Sequence, residues 1–171
     1  MTADLSVRGT ARPVALSHDR LASRYVVAGL MVAVLDLSFA ATYWVVLRGA
    51  ITFPRLLKGI AAGVLGRAAL QDGASVAWLG LLVHCTVAFG WTALFLLMRA
   101  RWPAFRRALS TQRGIVSIGV AYGASVWLVM DFIVIPLSGA TPTPLSSSWF
   151  YICLVWHMIG VGPPMAIILR D

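Results

Sequence analysis

The chain has few charges, few cysteines and none of the common catalytic signatures. Only 12% of its 171 residues are charged. A water-soluble domain of this size needs a larger charged surface, because a small globule cannot hide most of its side chains. The two cysteines, Cys85 and Cys153, form no CxxC pair and no disulfide framework, and read as reduced packing residues. There is no H-E-x-x-H, no phosphate-binding G-x-x-x-x-G-K-[ST] and no G-x-S-x-G. Gly59, Gly63 and Gly66 have no preceding strand and so make no nucleotide fingerprint. His84 and Cys85 point about 100° apart on a helix, which weakens a thiol–imidazole nucleophile. No enzymatic activity is expected.

What is present is apolar surface, at 60% of residues and a mean hydropathy of +0.85. It comes in long blocks rather than in stripes of helical or strand period. Four blocks are long enough to cross about 30 Å of hydrocarbon as helices: Tyr25–Val46, Ser75–Met98, Ile115–Leu137 and Trp149–Leu169. Only helices and closed barrels satisfy their backbone in lipid, and continuous apolarity rules out the alternation of a barrel. The expected fold is an all-α membrane protein with four transmembrane helices in a bundle. Residues 1–24 read as a polar cytoplasmic tail and 25–171 as the transmembrane domain. The first block is too long for a cleaved signal peptide.

The net charge is +8, and thirteen of the fourteen basic residues are Arg, mostly between the apolar blocks. No aromatic-interleaved basic patch suited to nucleic acid appears, so the lipid bilayer is the partner the charge implies. Placing both termini in the cytoplasm puts ten basic residues inside and four outside. The four outside charges, Arg48, Arg55, Lys58 and Arg67, lie in the first connection. From about Phe53 to Leu70 this connection reads as an amphipathic interfacial or re-entrant helix. Arg48, Arg55 and Lys58 fall on one side of it, and Phe53, Leu57, Ile60 and Val64 on the other. Arg67, at the edge of the apolar face, either snorkels to the surface or serves as a charge partner for an acid of the bundle.

Tyr43, Trp44, Trp78, Trp149 and Tyr151 sit near the outer ends of their spans, where amphipathic rings prefer to lie. Pro136 marks the end of the third span, and Gly162, Pro163 and Pro164 imply a kink in the fourth.

Each span carries one ionisable residue: Asp36, His84, Asp131 and His157. An ionised Asp at a helix centre costs about 2.5–3.5 kcal/mol on insertion scales. At about 1.5 Å rise per residue, the four lie roughly 9–16 Å below the outer ends of their helices. Three stripes of small or polar residues supply packing seams: Gly29, Ala33, Asp36 and Ala40; Gly80, His84 and Ala88; and Cys153, His157, Gly160 and Pro164. Gly119 and Gly123 form a GxxxG on another face of the third span, suited to a second subunit and hence a homo-oligomer.

Such an intramembrane polar cluster has a structural reading, in which its members hydrogen-bond and hold the bundle together. It also has a functional one, proton or small-solute handling or sensing, since a histidine ionises near neutrality and a neighbouring carboxylate favours its charged form. The alternative is a redox protein that binds haem between His84 and His157, or a metal. Ligand spacing such as HxxxH is absent, and no cofactor is expected.

The segments LGLLVH around His84, a basic loop with Pro103, YGASVWLVMD, IPLSGATP and WHMIGVGPPMAIILR together resemble the YagU-like family of small bacterial inner-membrane proteins. The AxLD span and the GIAAGVLGRAA segment of the first half are also similar to small bacterial membrane proteins. The resemblance implies a multi-pass protein of the bacterial cytoplasmic membrane, implies no activity, and singles out His84 and His157. It implies Asn at position 131 at least as often as Asp, which moves weight towards Asp36, His84 and His157.

Overall fold

The computed structural model describes residues 18–170; Arg8, Arg12 and most of the expected tail lie outside the described residues. Four helices are long and apolar enough to cross a membrane: Asp19–Leu47, Ser75–Arg101, Gln112–Leu137 and Ser148–Leu169, here spans 1 to 4. They form an all-α bundle. Span 1 packs on spans 2 and 4, span 3 packs on span 4, and a shorter helix, Phe53–Leu65, packs on span 2. The helix of span 1 is described from His18 onward and includes Arg20 and Arg24. Asp19 in its first turn faces the positive end of the helix dipole.

Local sequence explains the other boundaries. The Thr111 hydroxyl accepts from Gly114 N at 3.1 Å and caps span 3. The Ser147 hydroxyl accepts from Trp149 N at 3.3 Å and caps span 4. Gly49 at φ 54 ends span 1. The helix in the first connection ends at Gly66 (φ 79) instead of running on to Leu70, and Arg67–Leu70 becomes a 3-10 turn.

Glycines decide where the helices touch. A Cβ on Gly123 would stand 1.9 Å from the His157 carbonyl oxygen, and one on Gly162 would stand 1.9 Å from that of Gly119. The GxxxG of span 3 therefore forms the seam with span 4 inside the chain, rather than a face kept for a second subunit. Gly80 does the same between span 2 and the short helix, where a Cβ would lie 1.9 Å from the Leu57 oxygen. The buried face of that helix is Leu57, Ala61 and Ala62, while Phe53 and Val64 are exposed. Gly80 lets the backbone at Leu57 and Ala61 approach span 2 closely, and Phe53 and Val64 are left outside.

Three spans contain a π-helical stretch: Thr42–Leu47, Met130–Val134 and His157–Val161. The last two immediately precede Pro136 and the Pro163–Pro164 pair. A proline offers no N–H and its ring crowds the carbonyl four residues back, so the turn before it widens.

The two ends of the bundle differ. At the end bearing Arg99, Arg101, Arg106 and Arg107, the fully buried Phe95, Leu109, Met165 and Leu169 close the interior. Phe95 meets Phe105 and Tyr122 edge-on, at 5.2 Å and 5.0 Å between ring centroids. At the other end, the short helix and the Ser138–Ser147 connector surround open space. Gly139 N donates to Gly63 O at 3.1 Å and ties the two together.

Candidate functional site: a polar intramembrane chamber

Asp36, His84, Asp131 and His157 all line one cavity of about 260 Å³. Its floor is apolar: Val32, Ala88, Val126 and Val161 line it and also belong to the packed core. A second cavity of about 690 Å³ adjoins it on the side of the short helix, and His84 lines both. Leu56 and Ile60 from the short helix and Thr143 from the connector also line both, so a polar chamber lies beside a mostly apolar vestibule.

Hydrogen bonds orient both imidazoles. His157 Nδ1 lies 2.8 Å from the Cys153 carbonyl oxygen one turn back. A carbonyl only accepts, so Nδ1 carries the hydrogen. His157 Nε2 then faces Asp36 Oδ1 at 3.8 Å across the interface of spans 4 and 1. With Nδ1–H committed, a neutral ring would turn a lone pair towards a carboxylate oxygen. The pairing becomes attractive when one proton resides on either partner. His84 Nε2 lies 2.9 Å from the Ala33 carbonyl oxygen and by the same reasoning donates to it, joining spans 2 and 1. Asp131 sits within the π-helical stretch of span 3. Such a stretch takes in about one extra residue per turn and rotates the residues after it by about 100°. The rotation falls on the residues that follow, from Ile135 on.

Arg67 stands apart from this cluster. It is exposed in the 3-10 turn and lines neither cavity, so it is not the charge partner of a chamber acid. Gly66 breaks the helix one residue earlier and directs Arg67 away.

Cys153, which shares the sequence stripe of His157, also lines the chamber; so do Trp91, Met130 and Trp149, which reading the sequence for polar groups passes over. Trp91 had a signal, since it lies well inside its span rather than in an interfacial belt. Cys153 is only partly buried, with its Sγ 3.7 Å from His157 Nδ1. Trp149 belongs to an aromatic wall between spans 1 and 4. It stacks on Phe39 at 5.5 Å, meets Tyr43 at 4.6 Å and Trp44 at 5.4 Å, and Phe39 stacks on Trp156 at 4.4 Å.

Among the described residues no group of three or more His, Cys, Asp or Glu side chains is placed to hold a metal ion. An axial role for His157 would require breaking its contact with Asp36, because its other nitrogen is held by Cys153 O. No family model, curated protein or solved structure matches the chain.

Proposed function

We propose that this chain is a multi-pass protein of the bacterial cytoplasmic membrane, without catalytic activity, that takes up protons in its chamber and uses them to sense or move a small solute. The observation that carries the reading is the Asp36–His157 contact, two ionisable groups on different spans whose pairing needs one proton. His84 and Asp131, on the remaining two spans, complete the chamber, so its charge bears on all four helices at once.

Arg counts support the orientation. With both termini cytoplasmic, the packed, Arg-rich end faces inward and the vestibule opens outward. The resemblance to YagU-like proteins agrees with that location. Reporter fusions after Asp171 and within Ser138–Ser148 test it, and an external C-terminus would reverse it.

The functional test uses the purified protein reconstituted in liposomes with an internal pH dye, alongside folded yield in detergent. Asp36→Ala and His157→Ala are each expected to abolish proton movement or uptake while leaving most of the folded protein. Unchanged proton behaviour with reduced yield would leave the cluster a structural role only.

A further inference from the structure

The vestibule differs in kind from the chamber it adjoins. Its lining contains no carboxylate, since Asp36 and Asp131 border the chamber alone. One side chain in that lining carries a permanent charge, Arg55. Among the described residues, none forms an ion pair or hydrogen bond with its guanidinium. Arg55 stands in the first turn of the short helix, and that turn has no acidic residue. A cation there adds to the positive end of the helix dipole, where an anion is stabilised.

The short helix also leaves room beside this charge. Arg55, Gly59 and Gly63 recur every four residues, share one face of the helix, and all line the vestibule. A Cβ on Gly59 would meet nothing within 4 Å, and one on Gly63 would come no nearer than 3.8 Å, to Ser138 Oγ. The face is therefore an open trough about 12 Å long with a guanidinium at one end. Val83 and Val87 of span 2 and Val134 and Ile135 of span 3 line the same space. Such walls offer water no partners and suit an alkyl chain.

Charge and size narrow the occupant. A cation would meet Arg55, and a free inorganic anion would leave the apolar space unfilled. The volume, about 690 Å³, lies within the roughly 300–1,000 Å³ of pockets for one drug-sized ligand. That suits one alkyl chain rather than the two of a phospholipid. A carboxylate is the head that a single guanidinium matches, through two parallel N–H···O bonds.

We infer that the vestibule binds a long-chain fatty acid, with its carboxylate on Arg55 and its chain laid along Gly59 and Gly63. The site needs no proton in the chamber, so it stands apart from the proton chemistry proposed above.

The probe is palmitate carrying a mid-chain diazirine, photolysed with the full-length protein in phosphatidylcholine nanodiscs at alkaline pH, where the carboxylate is ionised. Saturable labelling is expected in the short helix and at residues 83–87 and 130–135, read by peptide mass spectrometry. Unlabelled palmitate should compete roughly tenfold or more better than hexadecanol, its neutral counterpart. Arg55→Gln should weaken palmitate by a similar factor, and Arg55→Lys should recover part of the loss. Gly59→Leu fills the trough and should abolish the labelling. Its thermal midpoint should stay near that of the wild type, since the added Cβ meets no other atom. Equal competition by palmitate and hexadecanol in the wild-type protein overturns the inference without recourse to any variant, and so does labelling that does not saturate. Undiminished labelling of a folded Gly59→Leu protein overturns it too. Displacement by phosphatidylglycerol as readily as by palmitate would make the occupant a two-chain lipid and overturn the fatty-acid assignment.

Discussion

His157 holds Asp36 at 3.8 Å with one ring nitrogen while its other nitrogen is fixed to the Cys153 carbonyl at 2.8 Å. The imidazole is thus oriented by its own helix and presented to another. His84 is held the other way, since its Nε2 is bound to Ala33 O on span 1 and a neighbouring helix orients it. The two histidines therefore commit opposite nitrogens to backbone carbonyls.

This opposition is directly measurable. In their neutral forms, His157 should be the Nδ1–H tautomer and His84 the Nε2–H tautomer. Nitrogen-15 chemical shifts of selectively labelled protein in bilayers distinguish the two. Identical tautomers at both sites would contradict the hydrogen-bond assignment.

The Asp36–His157 pair should also register in stability. A double-mutant cycle with Asp36→Asn and His157→Gln, read by reversible unfolding in mixed micelles, should give a coupling of about 0.5–3 kcal/mol, the range for residues in direct contact. Strict additivity would mean that the two groups are neighbours without interaction.

The seam between spans 3 and 4 makes a sharper demand. Gly123→Ala or Gly162→Ala places a methyl 1.9 Å from a backbone oxygen, so the helices must separate. Each should destabilise by about 1–3 kcal/mol or more and lower the folded yield. Gly90→Ala, with nothing within 4 Å of its Cβ, should be neutral or gain about 0.5–1 kcal/mol from better helix propensity. Similar thermal midpoints for all three variants would rule out a glycine-dependent seam.

Gly80→Ala tests the wall of the vestibule. The new methyl would collide with Leu57 O and lift the short helix from span 2. A cysteine introduced at Ala61, which is fully buried, should then react with a water-soluble maleimide much faster than it does beside Gly80. Equal labelling rates would show that the helix keeps its place.

The sequence alone determined the four membrane helices, because spanning about 30 Å of hydrocarbon imposes a long apolar run that no packing detail alters. It also placed one ionisable residue on each span, since such groups stand out wherever lipid is the solvent. An amphipathic helix after span 1 was legible as well, through its alternation of Arg and Lys with Leu and Ile. Its end was not, because Gly66 has no fixed meaning until φ is known. Only the tertiary structure decided which faces met. Gly119 and Gly123 look the same in sequence whether they serve a second subunit or span 4, and their backbone contacts with Gly162 and His157 chose the latter. The rotation of span 3 beyond Val134 depended on a π-helical stretch, which shifts the helix face without changing composition. The chamber itself, with Trp91, Trp149 and Thr143 brought beside the acids, comes from elements far apart in the chain. Periodicity sees along a helix; only packing shows what stands across from it.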